Sequence, residues 1–89
     1  MAEPRVSAII IVYNGARYLA EAIDSVVAQS FPDWELIIAD DGSSDRSLEI
    51  ARDYAARHPG RIRAIAHADE ANHGMSATRN LGIAAARGR

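Results

Sequence analysis

The feature that most constrains this chain is a run of apolar, largely β-branched residues at 6–13 (VSAIIIVY), followed directly by an amphipathic stretch. A strand that is apolar on both faces is typical of a parallel sheet covered by helices on both sides. In residues 16–29, apolar side chains such as Leu19 and Ile23 recur at helical spacing, which predicts a helix. A strand and a helix in this order indicate the start of a β-α-β unit.

The same alternation continues along the rest of the chain. A second strand is predicted at 34–39, a helix that ends near Arg57, a third strand at 61–67 and a third helix at about 75–87. The third strand is the least apolar, so we expect it near a sheet edge. The order β-α-β-α-β-α predicts an α/β fold with a parallel, doubly wound, Rossmann-like sheet.

Finer expectations follow from local patterns. Ser43 or Ser44 is expected to cap the second helix, since a hydroxyl can accept from an unpaired backbone N–H. Trp34 is expected to pack in the core or at a strand end. Two further sets are assigned by pattern: an inward face of the third helix (Ala77, Leu81 and Ala84 or Ala85) and a solvated face (Arg52, Arg57, Arg61 and Arg63).

Composition excludes several classes of protein. The 89 residues carry a net charge of −2 and contain neither cysteine nor lysine, so they indicate one domain without disulfides, Cys-ligated zinc or a P-loop lysine. The sequence has no basic stripe, so we do not expect nucleic acid as a partner. The apolar runs are far shorter than the roughly 18 residues that span a bilayer, so we expect a soluble, cytoplasmic segment.

Candidate site residues follow the predicted strands, because ligands of open parallel sheets lie outside the carboxyl ends of the strands. Asp40 and Asp41 could accept from a ribose hydroxyl or a pyrimidine imide N–H, although Asp-Gly-Ser is also ordinary turn composition. Tyr13 could stack on a base or simply end its strand. Arg79 could approach a phosphate or be solvated. His67 and His73 have no partner at ligand spacing in the sequence and are assigned no role.

Taken together, four ordered motifs resemble the N-terminal half of family 2 glycosyltransferases. They lie at 6–14 (VSAIIIVYN), 28–38 (AQSFPDWELII), 40–45 (DDGSSD) and 72–83 (NHG followed by ATRNLGI). The resemblance covers almost the whole chain. Ile11 departs from it, because members of the family often have proline there.

The resemblance implies a truncated GT-A fold in which residues 1–89 are the N-terminal, nucleotide-sugar-binding part of one domain. By position, Tyr13 would lie against the base, Asp41 would accept from the base or ribose with Asp40 in support, and Arg79 would approach the base or diphosphate. Val12 and Asn14 complete the implied nucleotide-binding set. The implied donor is a nucleotide-diphosphate sugar, with a UDP-sugar expected, and the implied setting is cell-wall or polysaccharide biosynthesis.

The same resemblance implies which parts are missing. In the family, an Asp-x-Asp motif that holds Mg²⁺ or Mn²⁺ and a catalytic carboxylate base follow later, beyond Arg89. We therefore expect an inverting transferase as the parent protein, on the cytoplasmic side of a membrane if it is membrane-bound. No catalytic or metal-binding residue is expected within these 89 residues, and no activity from them alone. The alternative is a stand-alone α/β binding or interaction module, and an exposed sheet edge leaves self-association possible.

Overall fold

The computed structural model describes residues 6–28, 34–67 and 73–86. Its elements follow in the order β1 (Val6–Val12), α1 (Ala16–Val27), β2 (Trp34–Asp40), α2 (Ser47–Arg57), β3 (Ile62–Ala66) and α3 (Met75–Ala85). The strands pair in parallel in the order β1-β2-β3. The predicted α/β class, the element order and the edge position of the third strand are confirmed.

Parts of the predicted elements lie outside the described residues. They are the predicted helix end at Gln29, the loop over 68–72 with Asn72, and the predicted last turn at Arg87. Among the described residues, no helix has the length and apolar content needed to cross a bilayer.

The main hydrophobic core lies between one face of the sheet and the helices α1 and α2. Alternate residues along a strand point to the same face, so this face collects every second side chain of β1, β2 and β3. The buried members of the core are Val12, Leu19, Ile23, Trp34, Leu36, Ile38, Ala51 and Ile62. Trp34 therefore packs in the core, as predicted, and the Arg61 guanidinium carbon lies 4.9 Å from its ring centroid.

Helix α3 covers the opposite face, which makes the sheet doubly wound. The helix approaches the sheet tightly at Gly82, which is buried: a Cβ built there would lie 2.8 Å from Cγ2 of Ile9 in β1. Thr78 and Gly82 are buried, while the predicted inward residues Ala77, Leu81 and Ala85 are half-buried; Ala84, the predicted alternative to Ala85, is exposed. A helix that must approach a sheet closely uses its smallest residue at the contact point.

A charged pair lies at the amino-terminal end of this second face. Glu35 of β2 is only 1% exposed; its Oε2 accepts from the Ser7 hydroxyl at 2.6 Å, and its Oε1 lies 3.2 Å from Nη2 of Arg63. The same Arg63 nitrogen donates to the carbonyl of Ala85 at the end of α3. Arg63 was predicted to belong to a solvated face, and its side chain is only 38% exposed, because one of its nitrogens pairs with a buried carboxylate that needs a cationic partner.

The contact at Gly82 predicts the sign of a substitution. In an exposed helix, Gly→Ala is stabilising by about 1 kcal/mol, but here the new methyl group meets a β-branched side chain that cannot swing away. We expect Gly82→Ala to lower the free energy of unfolding by about 1–3 kcal/mol, as measured by urea denaturation.

Ala84→Gly, at an exposed position of the same helix, is the matched control. It should cost about 1 kcal/mol through helix propensity alone. A Gly82→Ala protein more stable than the wild type would contradict the close packing of α3 on β1.

Candidate functional site

The loops that follow β1 and β2 are locked together at the carboxyl edge of the sheet. Asn14 has a positive φ of 51°, and its backbone N–H donates to the Ser43 hydroxyl oxygen at 2.8 Å. Its side-chain Oδ1 accepts from the backbone N–H groups of Ser44 at 2.7 Å and Asp45 at 3.2 Å. Asparagine tolerates the left-handed conformation better than most residues, so it can supply both the turn and the acceptor.

A second set of contacts ties the first turns of α1 and α2 to these loops. Asp45 accepts from the N–H of Ala16 at 3.2 Å through Oδ2 and from the N–H of Ser47 at 2.9 Å through Oδ1. The Ser47 hydroxyl oxygen accepts from the N–H of Gly15 at 3.0 Å. One carboxylate therefore serves the N-termini of two helices, where negative charge is favourable.

This arrangement corrects the predicted cap of α2. No side chain caps the helix from its N-cap position, and neither Ser43 nor Ser44 occupies that role. The Ser43 oxygen is bound to Asn14 instead, and Asp45 accepts from the first turn. The hydrogen bonds to Asp45, that of the Ser47 side chain foremost, hold the pKa of this carboxyl below its usual value against the opposing effect of desolvation.

Asp40, the last residue of β2, is 1% exposed. Its Oδ2 accepts from the backbone N–H groups of Gly42 at 3.1 Å and Ser43 at 3.0 Å, and Gly42 takes the positive φ of 78° that this turn requires. Its Oδ1 is buried, and no hydrogen-bond partner for it occurs within the part of the chain that the structure describes. Asp40 thus stabilises the loop through Oδ2, and its Oδ1 can accept a further hydrogen bond.

Asp41 extends toward the opposite side, where α3 begins. Its own N–H donates to the carbonyl of Val12 at 2.8 Å, and its Oδ1 accepts from the N–H of His73 at 2.8 Å. This N–H, followed by the Thr78 hydroxyl, the Gly74 N–H and the charge of His67, holds the pKa of the Asp41 carboxyl below its usual value, although burial opposes the shift. Asp41 is therefore an ionised group that is 1% exposed.

Two residues that the sequence did not single out, His67 and Thr78, complete the cluster around Asp41. His67 Nε2 lies 2.9 Å from Oγ1 of Thr78 and 3.9 Å from Oδ1 of Asp41. The His67 and His73 rings lie 4.2 Å apart, centroid to centroid. Linear spacing hides these neighbours, but the position of His67 directly after the third strand could have signalled its place at the edge that holds Asp41.

The predicted site residues divide into surface and interior groups. Tyr13 is 50% exposed, and Arg79 is exposed one turn into α3. The structure brings Val12, Tyr13, Asn14, Asp40 and Asp41 together where β1 and β2 end. The start of α3 lies beside Asp41, and Arg79 extends from an exposed position of this helix. Across the described residues, no group of three or more His, Asp or Glu side chains is arranged to hold a metal ion.

Comparison with known proteins identifies the family to which this α/β chain belongs. The family model for glycosyl transferase family 2 matches residues 7–89, and the chain therefore belongs to this family. EpsJ of Bacillus subtilis (strain 168), named as an uncharacterized glycosyltransferase, is 49% identical over 85 residues, which cover 96% of this chain and 24% of EpsJ. The minor teichoic acid biosynthesis protein GgaB of the same strain is 39% identical, over 93% of this chain and 9% of GgaB.

A solved structure shows the same fold. The mannosyltransferase PcManGT from Pyrobaculum calidifontis, in complex with GDP-Man and Mn²⁺, superposes with a TM-score of 0.81 at 25% sequence identity, over 97% of this chain and 25% of that one. The fold is thus of the GT-A type, as the resemblance implied. The chain spans about a quarter or less of the length of these proteins.

Substitutions at Asn14 should separate the two tasks of this residue. Asn14→Gly keeps the backbone conformation and loses the amide acceptor, so we expect a loss of about 1 kcal/mol in the free energy of unfolding. Asn14→Ala adds the strain of a Cβ in the left-handed region, for a total of about 2–3 kcal/mol. Urea denaturation measures both, and a Gly variant as stable as the wild type would show that the amide does not lock the loops.

The lowered pKa values of Asp41 and Asp45 predict acid sensitivity. The unfolded chain binds these protons more readily than the folded one. The stabilisation is therefore complete above the usual aspartate pKa of about 4 and is lost as the pH falls through the lower, folded-state values. Asp41→Asn should flatten the fall of the unfolding free energy between about pH 5 and pH 2.

Asp53→Asn is the control, because the Asp53 side chain is 67% exposed and pairs with Arg57 on the surface. We expect it to leave the slope of stability against pH nearly unchanged. An equal effect of both substitutions would contradict a special environment for Asp41.

Proposed function

We propose that this chain is the nucleotide-binding part of an enzyme that transfers a sugar from a nucleotide-diphosphate sugar to an acceptor hydroxyl with inversion at the sugar carbon. The observation that carries the proposal is the 2.8 Å bond from Asp41 N–H to the Val12 carbonyl. It joins the strand end that presents the exposed Tyr13 ring to the strand end that carries the paired carboxylates. Membership of family 2 and the GT-A fold support it.

The exposed residues suit the two ends of a nucleotide. A half-exposed tyrosine ring such as Tyr13 offers a face on which a base can stack. The Arg79 guanidinium offers a fork of donors that matches a diphosphate. Val12 and Asn14 contribute the strand end and the locked loop on which Tyr13 is held.

The carboxylates suit a base that presents an N–H group. Because Asp41 is ionised, it can only accept hydrogen bonds, and a carboxylate has about four acceptor positions. Uracil and guanine present a ring N–H beside a carbonyl, whereas cytosine and adenine present a ring nitrogen that accepts. We therefore propose a uridine or guanosine nucleotide, with a UDP-sugar as the first candidate. Asp40 supports the loop and has a buried acceptor of its own.

The described residues do not fit the Mg²⁺ or Mn²⁺ expected of a GT-A enzyme. Asp40 and Asp41 are buried, one oxygen of each accepts from backbone N–H groups, and no group of three or more acidic or histidine side chains among the described residues is arranged to hold a metal ion. We propose that metal binding, base catalysis and the acceptor pocket depend on residues outside this chain, which alone has no transferase activity. The cytoplasmic location and self-association through an exposed sheet edge stay predictions.

A stand-alone α/β binding module is the competing interpretation. It would keep the interlocked loops as scaffold and would not bind a nucleotide. The matches to relatives much longer than this chain favour the first proposal.

Titration of the chain with UDP, GDP and CDP, followed by backbone amide chemical shifts, tests the proposal. We expect UDP or GDP to shift the amides of Tyr13 and Asp41, and CDP to bind more weakly. Tyr13→Ala should lose about 1–3 kcal/mol of binding free energy, and Arg79→Met should weaken the binding of diphosphates more than that of the free nucleoside.

Each variant has a control. Tyr13→Phe keeps the ring that would stack on the base, and Arg52→Met removes an arginine that is exposed on α2. Both should leave the nucleotide affinity within about twofold. A folded chain whose amide spectrum does not respond to any of the three nucleotides would favour the stand-alone module.

A further inference from the structure

We propose that His67 and Thr78 are positioning residues of the nucleotide site. They fix the Asp41 carboxylate against the first turn of α3 and so hold Arg79 in register with the end of β2. This inference rests on the proposed function, and it assigns a task to two side chains that neither the family match nor the sequence pattern singles out.

The hydrogen-bond geometry around Thr78 supports this role. The Thr78 side chain is fully buried, at 0% exposure. Its hydroxyl lies 3.1 Å from the Gly74 carbonyl, to which it can donate, and it also interacts with the Asp41 carboxylate. With its one proton directed at one of these acceptors, Oγ1 can accept from His67 Nε2, which lies 2.9 Å away, in the tautomer that carries a proton on Nε2. Thr78 is therefore a three-way junction between β3, α3 and Asp41.

The junction closes a ring of contacts around the start of α3. Asp41 accepts from the N–H of His73, just before the helix, while Thr78 N–H donates to the Gly74 carbonyl in its first turn. The end of β2 and the first helical turn are thus joined on both sides of Gly74, which has a positive φ of 91°. Because Arg79 follows Thr78 directly, fixing Thr78 also fixes the backbone from which the Arg79 side chain extends.

The groups that face Asp41 come from two elements. His67 approaches from the end of β3, with Nε2 at 3.9 Å from Oδ1. His73 approaches from the segment before α3 through its backbone N–H, and its ring lies against that of His67. Asp40, the neighbouring acid, accepts instead from the N–H groups of Gly42 and Ser43. The ionisation of Asp41 thus depends on the His67 ring, the His73 backbone N–H and the Thr78 hydroxyl.

Carbon-13 labelling of the aspartate carboxyls provides a readout that loss of packing alone would not move. In the ligand-free chain, Thr78→Val keeps the side-chain shape and removes the hydroxyl, so the titration midpoint of Asp41 should rise by about 0.5–1 pH unit. Thr78→Ser keeps the hydroxyl and should leave the midpoint near the wild-type value. His67→Leu should raise the midpoint, and His67→Gln, which retains an N–H donor, should restore part of the difference.

Nucleotide affinity is the second measurement. Thr78→Val should weaken UDP or GDP binding by about three- to tenfold, while Thr78→Ser stays within about twofold of the wild type. His67→Leu, at a residue outside the main core, gives the same test should the Val variant not fold. The inference is overturned if the Val and Leu variants lose thermal stability while the Asp41 midpoint and the affinity stay at their wild-type values.

The two proposals fail in different ways. A wild-type chain that binds neither UDP nor GDP contradicts the proposed function. The carboxyl titration tests the effect of Thr78 and His67 on Asp41 and needs no nucleotide. An Asp41 midpoint that is unchanged in the Thr78→Val and His67→Leu variants contradicts this inference even where the nucleotide binds.

Discussion

Charge buried along the central strand is the constraint on which the rest of this structure depends. All seven residues of β2 are buried, yet the strand and the residue after it carry the carboxylates of Glu35, Asp40 and Asp41. A buried charge is tolerated only with hydrogen-bond or ionic partners. Each carboxylate therefore has donors. Glu35 accepts from a serine and an arginine, Asp40 from two loop N–H groups, and Asp41 from the segment before α3.

Helix α3 shows how these charges place an element. Its N-terminal turn lies beside the Asp41 carboxylate, and the carbonyl of Ala85 at its C-terminus accepts from the Arg63 guanidinium. This order matches the helix dipole, which favours an anion at the N-terminus and a cation at the C-terminus. The close contact at Gly82 then sets the depth of the helix on the sheet. The position of Arg79, and with it one side of the proposed nucleotide site, follows from these three contacts.

The sequence was sufficient to predict the elements, their order and the sheet edge that collects the polar residues, because periodicity and strand ends are local signals. It was insufficient where the partner is distant in the chain. Arg63 was predicted to be solvated, but Glu35 lies 28 residues away. Ser43 was predicted to cap α2, but the Asn14 N–H competes for it from 29 residues away. His67 had no partner within linear reach and was assigned no role.

The carboxylate of Asp45 has a consequence for the order in which this molecule can come apart. Because the same side chain accepts from the first turns of α1 and α2, neither helix can fray at its N-terminus without releasing a partner of the other. Asn14 adds a parallel link between the two loops. The first two strand-helix pairs should therefore open as one cooperative unit in hydrogen exchange, with α3 as a separate and less protected one.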